Sequence, residues 1–217
     1  MKWFEKKKEI AVLPPLEGYN RWASSYNQES NPIKKLSDSL VEKWMPELNG
    51  KSFLDAGCGT GKFCALAEKY GASEILGLDL SPGMIEIAKK QCSSALFLCT
   101  DILNASIKKD HFDVITCALV LGHLESLSPA LTNLLKGLRI GGTIIITDFH
   151  PFLTLQQSKR TFRDSHSGAT FEVRHHLHLF QEYFKVFGEN RVVVNILDEP
   201  CFQDVPVVFG ILAQRQA

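Results

Sequence analysis

The fold of this chain is decided by the stretch Ser52-Phe53-Leu54-Asp55-Ala56-Gly57-Cys58-Gly59-Thr60-Gly61. An apolar run ends at an acid, three closely spaced glycines follow, and residues 62–70 continue at helical spacing. This order predicts a strand, a glycine turn and a helix, which together form one βα unit.

The glycine turn differs from two common phosphate-binding patterns. In GxGxxG, counted from Gly57, the third glycine would fall on Lys62, and no Gly-Lys-Ser/Thr follows at the spacing of GxxxxGK[ST]. The backbone can still approach a ligand closely, and the carboxylate of Asp55 suits a cationic or amine-bearing group better than an anionic pyrophosphate. We therefore expect a ligand site here that is not a phosphate loop.

Strand and helix patterns continue to alternate along most of the chain. Further strands are predicted at 74–78, 95–98, 112–117, 143–147, 191–196 and 205–212. Further helices are predicted at 36–45, 81–91, 128–138 and 181–187, and Gly141 and Gly142 are expected to close the third of these. The pattern predicts an α/β fold with a doubly wound, mainly parallel, seven-stranded sheet.

Two segments interrupt the alternation. Residues 1–45, with an aromatic cluster of Tyr19, Trp22 and Tyr26, are expected to form an N-terminal helical cap. Residues 152–180 contain Gly168 between two runs that alternate polar and apolar side chains, which predicts a hairpin inserted above the sheet as a lid. We expect both to belong to a single domain that spans residues 1–217.

The overall composition limits the partners and the compartment. Lys and Arg together number 24, as do Asp and Glu, so no cationic excess exists for nucleic acid or anionic lipid. No signal peptide and no apolar run of about 20 residues is found. Six cysteines without a CxxC pair are expected to be buried free thiols of a reducing compartment. These features predict a cytoplasmic monomer or homodimer that acts on a small molecule, with no nucleic-acid or membrane partner.

Residues with functional chemistry gather at the predicted carboxyl ends of strands. They are Asp55, Asp79, Asp101, the stretch 117–123 and the stretch 148–150. In open α/β sheets a ligand binds outside these strand ends, near the point where the strand order reverses. Five such positions together indicate one site rather than five unrelated helix caps.

The motifs resemble those of class I S-adenosylmethionine-dependent methyltransferases. The matching stretches are 54–61, Gly77-Leu78-Asp79-Leu80-Ser81-Pro82-Gly83-Met84, Thr100-Asp101, Phe112-Asp113-Val114-Ile115 and Leu138-Arg139-Ile140-Gly141-Gly142-Thr143. The stretch 19–27 is also similar to the YxxWAxxYD opening of small-molecule enzymes related to the ubiquinone/menaquinone and biotin pathways, with Asn27 in place of the final acid.

The resemblance implies S-adenosylmethionine as cofactor, S-adenosylhomocysteine as product, and a set of contact residues. The glycine turn would lie against the methionine part, Asp55 near its ammonium group, Asp79 on the ribose hydroxyls and Asp101 on the adenine. The full set implied for the cofactor is Tyr19, Tyr26, Asp55, Gly57, Cys58, Gly59, Asp79, Leu80, Met84, Asp101, Ile102 and Ala118.

Methyl transfer is an in-line displacement at a sulfonium, and a base is needed only if the acceptor must lose a proton. The candidates for a catalytic role are His150, directly after the fifth main strand, His178 on the expected lid, and His123. In an extended strand His176 and His178 would share one face and His175 the other, so no metal site is expected.

The acceptor is expected to be small. The residues after the fourth main strand, Thr116-Cys117-Ala118-Leu119, lack the Asn/Asp-Pro-Pro-aromatic motif of nucleic-acid amino methyltransferases, and Pro200-Cys201 is misplaced for a cytosine-5 enzyme. Two alternatives stay open: another enzyme that uses an S-adenosyl ligand, and a non-catalytic binding or regulatory protein that keeps the fold.

Overall fold

The structure is a computed structural model that describes residues 10–217. The first nine residues of the expected N-terminal cap lie outside this range. The helices are α1 (Pro15–Trp22), α2 (Pro32–Trp44), α3 (Lys62–Lys69), α4 (Pro82–Gln91), α5 (Leu127–Gly137), α6 (Pro151–Leu155) and α7 (Phe180–Glu189), with a 3₁₀ turn at Leu121–His123. The strands are β1 (Ala11–Leu13), β2 (Ser52–Ala56), β3 (Glu74–Asp79), β4 (Leu96–Cys99), β5 (Phe112–Ala118), β6 (Leu138–Phe149), β7 (Thr161–Arg163), β8 (Thr170–Val173), β9 (Val192–Asp198), β10 (Cys201–Phe202), β11 (Val205–Pro206) and β12 (Val208–Arg215).

Seven strands form the central sheet, in the order β4-β3-β2-β5-β6-β12-β9. Strands β2 to β6 run parallel, and β12 is antiparallel to both of its neighbours, β6 and β9. The predicted α/β class with a mainly parallel seven-stranded sheet is confirmed. The order reverses between β2 and β5, so the crevice for a ligand opens at the carboxyl ends of these two strands.

Helices cover both faces of the sheet because its strands are apolar on both sides. One apolar cluster joins the sheet to α5 and α7 through residues such as Leu131, Leu134 and Tyr183. The other joins it to α2, α3 and α4 through Leu40, Phe63 and others. This packing fixes β2, β3 and β5 firmly, and the loops at their carboxyl ends are held in place by rigid elements.

The N-terminal segment and the inserted hairpin pack together as a second, smaller layer. Strands β7 and β8 form the predicted antiparallel hairpin, and β1, which the sequence did not predict, pairs in parallel with β8. Trp22 on α1 stacks on Phe162 in β7 with ring centroids 5.0 Å apart. The two segments therefore form one unit at the carboxyl ends of the central strands β5 and β6.

Several element boundaries differ from the sequence prediction. Helix α5 ends at Gly137, and Gly141 and Gly142 lie within β6 instead of closing the helix. The register between β5 and β6 shifts between Phe112 and Val114, which accommodates the extra residues as a bulge. The Cβ of a larger residue at 142 would stand 3.1 Å from the Asp113 carbonyl, so close backbone approach explains the glycine there.

Other boundaries also changed. Helix α2 begins at Pro32, four residues before the predicted start, because Asn31 caps it through hydrogen bonds from the Ile33 and Lys34 amides. The predicted strand at 205–212 is split after Pro206. Residues 174–179 are not a strand, so the alternating-face argument for the histidines there was wrong.

The prediction for the cysteines is confirmed for four of the six, which are buried free thiols. It is wrong for Cys99 and Cys201, which are exposed. Cys99 ends the edge strand β4, and Cys201 lies in the two-residue strand β10, where little covers the side chain.

Candidate functional site

A cavity of about 280 Å³ lies at the carboxyl ends of β2, β3 and β5, where the strand order reverses. Ten of the residues that the sequence assigns to the cofactor line it: Tyr19, Tyr26, Gly57, Gly59, Asp79, Leu80, Met84, Asp101, Ile102 and Ala118. His123 lines it as well. The remaining wall consists of Pro15, Thr100, Leu119, Val120, Leu124 and Glu125.

The glycine turn after β2 is held against β3. The amides of Gly57 and Cys58 both donate to the Leu78 carbonyl, at 2.7 and 2.8 Å. Gly57 has a φ of +76°, and a Cβ there would come within 2.1 Å of Val120 Cγ2. A side chain at 57 is therefore excluded by both backbone conformation and space.

Asp79 at the end of β3 is oriented by two backbone amides. Its Oδ2 accepts from the Gly59 amide and its Oδ1 from the Ser81 amide, both at 2.8 Å. Burial raises the pKa of this carboxyl, and the two amides act in the opposite direction. Asp79 lines the cavity, and each oxygen retains one lone pair, so the carboxylate can accept hydrogen bonds from two neighbouring donors.

The wall beyond Asp79 is mainly apolar. Met84 and Ile102 are buried, and Leu80 is partly exposed on the rim. Asp101 Oδ1 accepts from the Leu103 amide at 2.9 Å, and Asn133 Nδ2 donates to the Ile102 carbonyl at 3.0 Å. An apolar slot with one acidic edge suits a flat, polar-edged ring.

Comparison with known proteins agrees with this geometry. The family described as a methyltransferase domain matches residues 54–146. The fold is similar to that of an S-adenosylmethionine-dependent methyltransferase from Mesorhizobium loti, with a TM-score of 0.71 and 20% identity over 84% of this chain and all of that one. Residues 54–146 thus match a methyltransferase domain, and the fold around them is the Rossmann-like methyltransferase fold.

The chain is also similar to two named methyltransferases. A magnesium protoporphyrin IX methyltransferase from Synechocystis PCC 6803, solved with bound S-adenosylhomocysteine, has a TM-score of 0.67 and 21% identity over 92% of this chain and 94% of that one. A malonyl-[acyl-carrier protein] O-methyltransferase from Serratia marcescens is 33% identical over 59% of this chain and 50% of its own length. The chain spans about half the length of the curated relatives that it matches.

Two of the twelve residues assigned to the cofactor, Asp55 and Cys58, do not line the cavity. Asp55 is buried, and Thr116 Oγ1 donates to its Oδ1 at 2.7 Å. Burial raises the pKa of this carboxyl to about 7. Asp55 therefore joins β2 to β5 beneath the glycine turn, behind the cavity wall.

His123 is the one predicted catalytic histidine that faces the cavity. Its Nδ1 lies 2.6 Å from the Arg174 carbonyl, which can only accept, so Nδ1 carries the proton. Its Nε2 accordingly accepts from the Tyr19 hydroxyl, 2.8 Å away. Burial, with the charge of Arg160 nearby, lowers the pKa of His123 well below its usual range. The ring is neutral at neutral pH and links α1 to the loop after β8.

The structure places His150 and His178 outside the cavity lining. His150 caps α6 by accepting from the Phe152 amide at 3.1 Å, and its Nε2 donates to Glu199 at 2.7 Å. His178 Nε2 donates to the Leu124 carbonyl at 2.8 Å, and its Nδ1 lies 3.2 Å from Glu182. Both ring nitrogens of each histidine are thus occupied by the protein.

A second cavity, of about 330 Å³, shares Tyr19, Tyr26 and Leu119 with the first. The inserted hairpin, α2 and the end of β6 complete it, and Arg160 forms part of its wall. Arg160 is 8% exposed and was not singled out from the sequence. The sequence signal that could have identified it is an arginine within the alternating run 160–164. Only the fold brings Arg160 next to Leu119, whose carbonyl accepts a hydrogen bond from Arg160 Nη2 at 2.9 Å.

The structure between residues 10 and 217 contains neither a metal-ligand cluster nor a membrane-spanning helix. Within this range no three His, Cys, Asp or Glu side chains come together as a set of metal ligands. None of the helices there combines the length and the apolar composition needed to cross a lipid bilayer.

Proposed function

We propose that this protein transfers a methyl group from S-adenosylmethionine to a small-molecule acceptor by in-line displacement. The observation that carries the proposal is Asp79, whose two oxygens are fixed by the Gly59 and Ser81 amides at the mouth of an apolar slot. A carboxylate held in this way can accept from both ribose hydroxyls of the cofactor.

The remaining contacts follow from that placement. Asp101 and Ile102 would hold the adenine, with Met84 packed against it, because these residues line the cavity beyond Asp79. The methionine part would lie along Gly57 and Gly59, where the lack of side chains permits close approach. Tyr19 and Tyr26 from the N-terminal segment would close the cavity above the sulfonium.

The chemistry asks the protein mainly to align the acceptor with the methyl carbon and to exclude water. The N-terminal segment and the hairpin supply the cover, since Trp22 and Phe162 stack between them. His123 is the histidine best placed for a catalytic role because it lines the cavity. Its Nε2 is engaged by Tyr19, so it would act on a substrate proton through that hydroxyl.

The small-molecule acceptor is supported by the size and the charge of the site. The second cavity, of about 330 Å³, is of the order of small-ligand pockets and is closed on one side by α2 and the hairpin. A net charge of zero offers no cationic surface for a nucleic acid.

Calorimetry with S-adenosylmethionine and S-adenosylhomocysteine tests the cofactor assignment. We expect both to bind the wild type, and Asp79→Ala to weaken binding about 100-fold or more, because two hydrogen bonds to a charged group are lost. Glu74→Ala is the matched control. Glu74 is an exposed acid at the amino end of β3, the strand that ends at Asp79, so its replacement should leave cofactor binding unchanged. Absence of binding at millimolar cofactor would overturn the proposal.

Product analysis separates the proposed reaction from the alternatives. Incubation with labelled cofactor and a small-molecule cell extract should release S-adenosylhomocysteine and label an acceptor. Release of methylthioadenosine instead would indicate transfer of another part of the cofactor. Tight cofactor binding without any turnover in extracts would indicate a binding or regulatory protein.

A further inference from the structure

The second cavity contains a buried cation that the cofactor site does not use. Arg160 is 8% exposed, and its Nη1 has no hydrogen-bond partner among residues 10–217. Its Nη2 donates to the Leu119 carbonyl, and Leu119 lines both cavities. The guanidinium therefore stands beside the boundary between the two cavities.

Arg160 forms a buried ion pair with Asp148, but the protein does not fill its hydrogen-bonding capacity. Asp148 Oδ1 lies 3.6 Å from Nη1, too far for a hydrogen bond. Its two oxygens already accept from the Gly122 and Phe149 amides, each at 2.7 Å. A buried guanidinium with free donor capacity is costly unless an acceptor completes it.

Other charged groups on the cavity wall add to the positive side. Lys34 and Lys159 line it, and Glu29 is the one acid among its lining residues. Lys159 is paired with Glu172 at 3.0 Å, whereas Lys34 donates to neutral oxygens of Tyr26 and Asn27. The cavity thus favours an anionic guest.

The three histidines predicted to be catalytic supply a second, independent observation; His175, whose Nδ1 has no partner among residues 10–217, lines neither cavity. Both ring nitrogens of His123, His150 and His178 are hydrogen-bonded within the protein. None of these three rings has a nitrogen free to take a proton directly from an acceptor. An acceptor that is already deprotonated at neutral pH needs no such base.

We infer that the second cavity is the acceptor site and that it takes a small organic acid, whose carboxylate binds Arg160 and is itself methylated. This inference rests on the proposed function. One carboxylate oxygen attacks the methyl carbon, and the carbon–sulfur bond breaks with its electron pair left on sulfur. The products are a methyl ester and S-adenosylhomocysteine. The sulfonium becomes a neutral thioether and the carboxylate a neutral ester, Arg160 keeps its charge, and no proton moves.

The test uses labelled S-adenosylmethionine and a small-molecule extract divided on an anion-exchange resin. We expect the acceptor activity in the retained, anionic fraction. We also expect the product to release labelled methanol in mild alkali, as a methyl ester does and an N-, S- or ether-linked methyl group does not. Activity confined to the unretained fraction, or a label stable to alkali, would overturn the inference.

Variants of Arg160 test whether the carboxylate of the acceptor binds at this residue. Arg160→Gln should lower the rate at subsaturating acceptor by about 10- to 100-fold, with unchanged cofactor affinity, and Arg160→Lys should restore part of it. Arg163→Gln is the control, since Arg163 lies on the same hairpin but is exposed and only contacts the Gly168 carbonyl. Equal rates for Arg160→Gln and Arg163→Gln would show that Arg160 only fastens the hairpin to the sheet.

The failures of the two proposals are distinguishable. If the protein neither binds the cofactor nor releases S-adenosylhomocysteine with any fraction, the proposed function itself fails. If S-adenosylhomocysteine forms with neutral or cationic acceptors, only the organic-acid inference fails. Cofactor binding by Arg160→Gln and its urea unfolding curve show whether the variant is folded.

Discussion

Replacement of Gly57 by alanine probes the packing of the glycine turn. The residue has a φ of +76°, and its new Cβ would meet Val120 Cγ2 at 2.1 Å. The left-handed conformation costs an alanine about 1–2 kcal/mol. Overpacking against a valine adds about 1–3 kcal/mol. We therefore expect Gly57→Ala to lower the free energy of unfolding by about 2–5 kcal/mol.

Gly50 provides the matched control for the backbone contribution. Its φ of +73° is nearly the same, yet a Cβ there would meet nothing within 4 Å. Gly50→Ala should cost only the conformational part, about 1–2 kcal/mol. The difference between the two variants measures the clash with Val120.

A double-mutant cycle isolates that clash. In a Val120→Ala background the Cγ atoms are gone, and the nearest remaining atom to the new Cβ is the Cβ of residue 120 at 3.2 Å. Gly57→Ala should then cost about 1–3 kcal/mol less than in the wild type. Urea unfolding measures each step. If Gly57→Ala lowers the free energy of unfolding no more than Gly50→Ala does, there is no clash with Val120. Additive effects of Gly57→Ala and Val120→Ala on that free energy would show the same.

Two further predictions concern buried polar groups near the site. Asp55 has a folded-state pKa of about 7 against its usual 3.8, so the folded protein holds a proton that the unfolded chain has released. Stability should fall as pH rises from about 4 to about 7, by up to about 4 kcal/mol, and Asp55→Asn should flatten this dependence in urea unfolding; an equal slope for both proteins would contradict it. Tyr19→Phe removes the hydroxyl that donates to His123 and should lower the unfolding free energy by about 1 kcal/mol more than Tyr26→Phe, whose hydroxyl has no partner among residues 10–217. Equal costs for the two phenylalanine variants would show that the Tyr19–His123 hydrogen bond stabilises nothing.

Local patterns were sufficient to predict the central sheet and to single out ten of the residues that line the first cavity. Apolar runs that end at Asp79 and Asp101 are short-range signals, and their place at strand ends follows from the parallel sheet itself. The glycine turn is also a local signal, since Gly57, Gly59 and Gly61 stand within five residues directly after a strand, although the contacts that require Gly57 come from Val120 and Leu78. These features were therefore predicted correctly in type and nearly in position.

What the sequence did not predict depends on contacts between distant segments. The pairing of β1 with β8 joins residues about 160 positions apart, and three residues of strand carry little signal of their own. His150 follows a strand end as expected, but its partner Glu199 is 49 residues away and turns the ring away from the cavity. Arg160 reaches the boundary between the two cavities only because the hairpin folds back over the carboxyl end of β5.

The position of Asp55 has a similar cause. Its carboxylate stands beside the glycine turn in sequence, which suggested a ligand contact. Thr116 on the neighbouring strand donates a hydrogen bond from its Oγ1 to Asp55 Oδ1 at 2.7 Å, and the Asp55 side chain is buried behind the cavity wall. The direction in which a side chain points from a strand end depends on the strand beside it.

A crystal structure of the protein with S-adenosylhomocysteine tests the central claim most directly. We expect both ribose hydroxyls within hydrogen-bond distance of Asp79, with the adenine beside Asp101 and Ile102 and the amino acid part along Gly57. A nucleoside bound elsewhere, or a ribose out of reach of Asp79, would contradict it.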